Sequence, residues 1–164
     1  MGKIRVVTVD DHDIVRYGLR ELINSQPDME LVGEASCGEE ALEKARSLCP
    51  DVMIVDIAMP GMNGLALVGL LREICPKTRV VIFSMYNKEA YVQQALVTGV
   101  LGYVLKTSSS TEVCSAVKAV YRGEYFLSSN IATDVISRYI ASQKGDKAEA
   151  VGYDSLTERE QLIF

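Results

Sequence analysis

Residues 51–64, DVMIVDIAMPGMNG, decide how the rest of this sequence is interpreted. An apolar run that suits a buried β-strand ends at a single carboxylate, Asp56. A loop with Pro60, Gly61 and Gly64 follows at once, which is the composition of a turn. The acidic side chain on this apolar strand has two explanations. Either Asp56 caps the local structure, or the strand presents it for chemistry.

Four further runs of the same kind flank this strand, and segments with helical spacing separate them. The five predicted strands cover residues 4–9, 30–35, 51–56, 79–84 and 102–106. Several are apolar nearly throughout, as strands are when both faces of a parallel sheet are covered. Strict alternation of strand and helix predicts an α/β fold, a doubly wound five-stranded parallel sheet with right-handed crossovers. We expect the strand order 2-1-3-4-5, one of the common orders of this architecture.

The alternation ends at Gly123, and the remaining chain predicts three further pieces. The stretch EYFLSSNIATDVISRYIAS has a polar cap signal and then apolar residues at helical spacing, so we expect one extra helix. Residues 143–155 are polar with two glycines and predict a linker. LTEREQLIF then opens a new helix, and the chain stops within it. The predicted division is a domain over 1–123, a helical extension and linker over 124–155, and a truncated domain start over 156–164.

Polar side chains stand at the carboxyl ends of four predicted strands. Ligands of a doubly wound sheet bind at this edge, where the strand order reverses, here between the first and third strands. Asp10 and Asp11 end the first strand and Asp56 ends the third, so three carboxylates converge and would repel one another without a cation. An all-oxygen ligand set favours Mg²⁺ over zinc. Ser84 and Lys106, at the ends of the fourth and fifth strands, add a hydroxyl and a positive charge.

These groups are the parts that phosphoryl transfer requires. A cation and a lysine neutralise charge on the phosphoryl oxygens, and a carboxylate can act as the nucleophile. Asp56 is the predicted nucleophile, because it is central and a turn-forming loop follows it. Each aspartate taken alone is more simply explained as a helix cap or a solubilising strand end. Their joint placement at successive strand ends favours a site.

Four motifs resemble those of the receiver domains of two-component response regulators, a family with the CheY-like fold, across residues 3–123: VDDHD (9–13), VDIAMPGMNG (55–64), FS (83–84) and GYVLKT (102–107). The resemblance implies that Asp56 accepts a phosphoryl group from the histidine of a sensor kinase. It also implies that Asp10, Asp11, Asp56 and the main-chain carbonyl of Ala58 bind Mg²⁺.

The same resemblance assigns roles to three more residues. Ser84 and Lys106 would contact the acyl phosphate and assist its formation. Tyr103 would be the aromatic switch, which turns inward as Ser84 moves toward the phosphate. The resulting change would alter the surface of the fourth helix, fifth strand and fifth helix.

The C-terminal part indicates a subfamily. RGEYFLSSNIATDVI (122–136) and LTERE (156–160) are similar to the NarL/FixJ group, in which a receiver is joined to a LuxR-type helix-turn-helix domain. This similarity implies a full-length protein that binds DNA through the missing C-terminal domain and regulates transcription. It also implies homodimerisation on phosphorylation, since paired DNA-binding modules read paired half-sites.

Composition excludes several other classes. The net charge of −5 argues against this part of the chain gripping nucleic acid. Four scattered cysteines and one histidine favour neither a zinc site nor a disulfide framework, so the cysteines are expected to be apolar fillers. His12 is expected to be a solvated loop residue. The chain shows no signal peptide and no membrane-spanning run, which predicts a cytoplasmic protein without membrane contacts.

Three alternatives stay open at this point. One is a phosphorelay receiver without DNA output, which the closing LTERE motif counts against. Another is an aspartyl-nucleophile phosphohydrolase of the haloacid-dehalogenase kind, which needs a second acid two residues after the nucleophile, where Ala58 stands. A flavodoxin-like cofactor binder would need a phosphate-cradling loop in place of VDDHD. The prediction is therefore a non-enzymatic signalling protein.

Overall fold

Strands and helices alternate along the computed structural model, which describes residues 2–148. The strands are β1 (Ile4–Val9), β2 (Met29–Ala35), β3 (Val52–Val55), β4 (Arg79–Ser84), β5 (Gly102–Leu105) and β6 (Phe126–Leu127). The helices are α1 (Asp13–Asn24), α2 (Gly38–Leu48), α3 (Gly64–Ile74), α4 (Glu89–Thr98), α5 (Ser110–Tyr121) and α6 (Ser129–Ala148). None of these helices is both long and apolar enough to cross a bilayer.

All strand pairs in the sheet are parallel, and the order is β2-β1-β3-β4-β5-β6. The predicted α/β parallel sheet is confirmed, but the predicted count of five strands is wrong. Phe126 and Leu127 form a sixth strand, paired with Gly102 and Tyr103 at the β5 edge. A strand of two residues has no alternation that a sequence pattern could reveal, and it forms because the chain leaving α5 passes the unpaired β5 edge.

The core lies on both faces of the sheet, and the central strand β3 is buried along its whole length. Val52 and Ile54 of β3 pack toward α1 and α5, whereas Met53 and Val55 pack toward α2, α3 and α4. This is the two-residue period of a strand with apolar layers on either side. Each such fully buried side chain stabilises the fold by about 1.5–3 kcal/mol.

Helix α6 starts at the end of β6 and is held by both polar and apolar contacts. Ile131 is buried in the core, and Val135 packs against it. The Arg138 guanidinium donates to the Glu89 carboxylate of α4. The helix continues to Ala148, six residues into the stretch 143–155 whose composition predicts a linker. Most residues of 143–148 are good helix formers, so the helix tolerates the single glycine there.

The remainder of the predicted linker (149–155) and the predicted domain start (156–164) lie outside the described residues. The division into a receiver over 1–123, an extension over 124–155 and a truncated domain therefore stays a prediction.

A carboxylate of α5, Glu112, contributes to anchoring the start of α6. Glu112 Oε1 accepts hydrogen bonds from the Ser129 amide, at 3.1 Å, and from the Ser129 hydroxyl. The hydroxyl contact in particular holds the pKa of the Glu112 carboxyl below its usual value. A depressed carboxyl pKa means that the contact stabilises the fold above the unfolded-state pKa and is lost as the pH falls through the folded-state pKa.

We therefore expect the amide NMR signal of Ser129 to move on acidification, with a midpoint below the ordinary glutamate pKa. In Glu112→Gln the same signal should stay constant over that pH range, because the amide side chain does not titrate. A titration that is identical in the two proteins would contradict the anchoring role.

Candidate acidic site at the carboxyl edge of the sheet

Pairing of β1 with β3 brings Asp10 and Asp56 to the same edge of the sheet. The Asp56 amide donates to the Val9 carbonyl at 3.0 Å, and the Asp10 amide donates to the Ala35 carbonyl at 3.1 Å. The two residues thus continue their strands by one hydrogen bond each. Asp10 is 1% exposed and Asp56 is 3% exposed, although both carry an ionisable carboxylate. Burying two acids side by side requires a compensating charge.

Lys106 provides that charge. Its Nζ lies 2.8 Å from Asp10 Oδ2 and 3.1 Å from Asp56 Oδ2. Its own amide donates to the Ser84 carbonyl at 2.8 Å, which ties the end of β5 to the end of β4. Burial alone would lower the pKa of the Lys106 ammonium, but its contacts with Asp10 and Asp56 outweigh burial and raise that pKa.

The pKa of Asp56 moves in the direction that burial dictates. Burial raises it, and the neighbouring Asp10 charge adds to the rise, while the Lys106 ammonium opposes both. One lysine therefore does not fully compensate two buried carboxylates. The site retains an excess of negative charge.

Two carboxylate oxygens of this site, Asp10 Oδ2 and Asp11 Oδ1, are buried. Neither accepts a hydrogen bond from the described residues. Asp10 Oδ2 does lie near Lys106 Nζ, but the contact is an ion pair without hydrogen-bond geometry. One potential ligand atom from each of Asp10, Asp11, His12 and Asp56 lies within 4.8 Å of the others. Orphaned carboxylate oxygens in such proximity fit a hard divalent cation, and Mg²⁺ prefers oxygen ligands.

His12, expected to be a solvated loop residue, lies closer to this cluster than its sequence context indicated. Its Nδ1 is 3.1 Å from Asp10 Oδ1 and 3.2 Å from Asp11 Oδ1, while 63% of its side chain is exposed. Its amide also donates to Asp10 Oδ1 at 2.9 Å. An imidazole is a poor ligand for Mg²⁺, so we interpret His12 as a partner of the acids and not as a metal ligand. The position of His12 between Asp11 and Asp13 was the one feature of the sequence that could have indicated its contact with the acids.

The loop after Asp56 is held by main-chain contacts. The Ala58 amide donates to Asp56 Oδ1 at 3.3 Å, and the Gly64 amide donates to the Ile57 carbonyl at 2.9 Å. A Cβ on Gly64 would lie 2.2 Å from the Asp56 carbonyl oxygen, far inside contact distance. Only glycine permits the start of α3 to approach Asp56 so closely. Binding of a metal by the Ala58 carbonyl stays a prediction.

Ser84 and Tyr103, the predicted switch residues, are both buried and meet at the main chain of Tyr86. The Tyr86 amide donates to Ser84 Oγ at 3.1 Å, and the Tyr103 hydroxyl donates to the Tyr86 carbonyl at 2.7 Å. Burial raises the pKa of the Tyr103 hydroxyl, which remains a neutral donor. The Tyr86 ring stacks on Tyr91 of α4 with a centroid separation of 4.8 Å. Tyr103 therefore points inward in this structure, and its switching role stays a prediction.

The fold and this site define a class of protein. Residues 6–118 match the response regulator receiver domain family, and the chain belongs to that family. Among its relatives, the transcriptional regulatory protein LiaR of Bacillus subtilis (strain 168) is 36% identical over 98% of this chain and 74% of LiaR. The chain thus spans about three quarters of the length of that relative.

Solved structures agree with this assignment. A LuxR-family two-component response regulator from Aurantimonas sp. SI85-9A1 is 32% identical and superposes with a TM-score of 0.81, over 85% of this chain and 99% of that chain. The response regulator RcsB, solved as two dimers bound to two parallel DNAs, is 25% identical with a TM-score of 0.75, over 80% of this chain and 67% of that chain.

Replacing Gly64 tests the close approach of α3 to Asp56. Gly64→Ala forces a methyl group against the Asp56 carbonyl, and overpacking of this kind lowers the free energy of unfolding by about 1–3 kcal/mol. Gly69→Ala is the matched control in the same helix, because no atom lies within 4 Å of its added Cβ. That control should be neutral or gain up to ~1 kcal/mol from helix propensity. Urea denaturation measures both, and equal effects would contradict the proposed constraint.

A cation that fills the orphaned oxygens should stabilise the folded chain by mass action. We expect Mg²⁺ to raise the melting temperature, and a chelator to reverse the rise. Asp11→Asn removes one carboxylate charge and should weaken Mg²⁺ binding about tenfold or more, which corresponds to ~1.4 kcal/mol.

His12→Ala is the control for the Mg²⁺ measurement and should leave the affinity within a few-fold, because the imidazole is not an oxygen ligand. A metal response that Asp11→Asn leaves intact, or that His12→Ala abolishes, would contradict this description of the site.

Proposed function

We propose that this chain is the phosphoryl-accepting part of a two-component response regulator. A sensor histidine kinase supplies the phosphoryl group, and Asp56 accepts it. The observation that carries the proposal is the position of Asp56, a buried carboxylate between a lysine and two acids with orphaned oxygens. Membership of the receiver family supports the same function.

The transfer is a substitution at phosphorus. An oxygen of the Asp56 carboxylate attacks the phosphorus of a phosphohistidine, the P–N bond breaks, and the imidazole departs with its electron pair. The product is an acyl phosphate on Asp56. Lys106, 3.1 Å from Asp56 Oδ2, neutralises charge on the incoming group, and the Ser84 hydroxyl donates a hydrogen bond to it.

Asp10 and Asp11, together with Asp56 and the Ala58 carbonyl, would hold Mg²⁺. When bound, the ion supplies charge neutralisation for the phosphoryl oxygens. The Lys106 ion pair with Asp10 orients that carboxylate before the donor arrives. The Ala58 amide orients the Asp56 carboxylate through its hydrogen bond to Oδ1.

Signalling follows from the shared contacts of Tyr86. Ser84 Oγ accepts a hydrogen bond from the Tyr86 amide, and its hydroxyl hydrogen can be donated to a phosphoryl oxygen on Asp56, which would draw Ser84 and the attached Tyr86 segment toward the site. Since the Tyr103 hydroxyl donates to the Tyr86 carbonyl, moving this main-chain segment alters the hydrogen bonds of Tyr103 as well. Phosphorylation thereby biases a two-state element through local charge and packing.

In the full-length protein the output is transcriptional regulation. Phosphorylation promotes a homodimer, and a LuxR-type domain C-terminal to this chain binds DNA in the cytoplasm. The name of LiaR as a transcriptional regulatory protein and the DNA-bound dimers of RcsB support this extension. A relay receiver without DNA output is the alternative, and LTERE at residues 156–160 counts against it.

We expect no multiple-turnover enzyme activity on phosphate esters. A phosphohydrolase that uses an aspartyl nucleophile needs an acid two residues later to protonate the leaving group. Ala58 stands there and offers only its amide to Asp56.

Incubation with Mg²⁺ and acetyl phosphate tests the acceptor. The intact mass should rise by one phosphoryl group per chain, and Asp56→Asn should abolish the rise because the amide is not a nucleophile. Asp13→Asn is the matched control, since the Asp13 side chain is 89% exposed at the start of α1 and should leave the labelling unchanged.

Labelling that persists in Asp56→Asn would contradict the assignment of the acceptor. Continuous release of inorganic phosphate from an ester such as p-nitrophenyl phosphate, many times per chain, would instead favour the phosphohydrolase.

A further inference from the structure

Two cysteines meet at the ends of α2 and α3, opposite to the start of α3 and away from the acidic site. Cys49 follows the last residue of α2 and Cys75 follows the last residue of α3. The Cys49 amide donates to the Ala45 carbonyl at 3.0 Å, and the Cys75 thiol donates to the same carbonyl at 3.2 Å. One oxygen atom is therefore shared by the main chain of one cysteine and the side chain of the other.

Cys49 has a backbone conformation that disfavours any residue with a side chain. Its φ is 44° and its ψ is 61°, the left-handed region that glycine usually occupies at the end of a helix. Among the described residues it is the one non-glycine position with a positive φ. The conformation itself does not require a thiol, and a glycine would fit it with less strain.

The two thiols differ in access. Cys49 is exposed, whereas Cys75 is 9% exposed and packs within the core. Burial raises the pKa of the Cys75 thiol, and the neighbouring Cys49 thiol adds to the rise. The expectation that the cysteines are apolar fillers thus suits Cys75 but not Cys49.

We propose that Cys49 and Cys75 form a reversible intramolecular disulfide when the protein meets a peroxide. The exposed Cys49 reacts first, because peroxide reaches it from solvent. Its thiolate attacks one peroxide oxygen, the O–O bond breaks, and the departing hydroxide takes up the proton that the thiol released and becomes water, which leaves a sulfenic acid on Cys49. The Cys75 thiolate then attacks the Cys49 sulfur, the S–O bond breaks, and the departing hydroxide takes up the Cys75 thiol proton to form a second water. Both sulfurs are oxidised, both peroxide oxygens are reduced, and a thiol reductant restores the pair.

The bridge would close a loop that contains β3, Asp56 and all of α3. Such a cross-link stabilises a fold chiefly by restricting its unfolded chain. The oxidised protein should therefore melt at a higher temperature than the reduced protein. This inference does not depend on the proposed phosphoryl transfer and is tested without a phosphodonor.

The test treats the purified chain with hydrogen peroxide near stoichiometric amounts and reads intact mass and free thiols. We expect the loss of two hydrogen atoms and a fall from four alkylatable cysteines to two, both reversed by dithiothreitol. Peptide mapping should join the segments that hold Cys49 and Cys75. The melting temperature should rise on oxidation in the wild-type chain.

Cys49→Gly is the informative variant, because it removes the thiol while suiting the left-handed backbone and should fold at least as well. It should lose both the bridge and the rise in melting temperature. Cys37→Ser is the matched control and should retain both. Should Cys75→Ser fail to fold, Cys49→Gly alone still decides the outcome.

Three results would overturn the proposal. Peroxide could leave all four thiols alkylatable, or it could carry Cys49 to a sulfinic acid without engaging Cys75. A bridge could also join Cys37 or Cys114, or join two chains through Cys49. Each of these would show that the shared Ala45 contact does not direct disulfide formation.

Discussion

Charge balance among Asp10, Asp56 and Lys106 is the constraint on which this structure depends. Two carboxylates that are almost fully buried meet at the edge of a sheet whose interior is largely apolar. Their burial is tolerable only because the lysine Nζ lies 2.8 Å from Asp10 Oδ2 and 3.1 Å from Asp56 Oδ2. Those contacts need β1, β3 and β5 at fixed separations, so the sheet order and the charge balance support one another.

The charges at this site do not cancel, because one lysine is paired with two buried carboxylates. One ammonium contacts the two buried carboxylates, and the partly exposed Asp11 lies beside them. Asp10 Oδ2 and Asp11 Oδ1 accept no hydrogen bond from the described residues. Removing one acid would relieve the repulsion between the carboxylates but would also remove a potential cation ligand. A site with surplus negative charge and carboxylate oxygens outside hydrogen bonds suits a divalent cation. Stability that the apolar layers supply offsets this local cost.

Most of the fold and the proximity of the acids could be predicted from residue patterns. The apolar run 52–55 predicts a buried strand, and the carboxylate that follows it predicts an acidic group at the carboxyl edge of the sheet. The sixth strand could not be predicted, because two residues carry no periodicity. The contact of His12 with the acids could not be predicted either. The same holds for the hydrogen bonds by which Ser84 and Tyr103 both contact the main chain of Tyr86. Each depends on main-chain positions across elements, which a linear pattern does not encode.

The two residues of β6 have a consequence for how this protein behaves in a crowded solution. An uncovered strand edge presents free amides and carbonyls to any passing extended chain, and this invites aggregation. Phe126 and Ser128 occupy that edge of β5, with amides donating to the Leu101 and Tyr103 carbonyls at 2.9 Å each. Since β6 is itself only two residues long, it offers little further edge for a neighbour to extend. This two-residue strand therefore leaves little of the β5 edge open to pairing with a second chain.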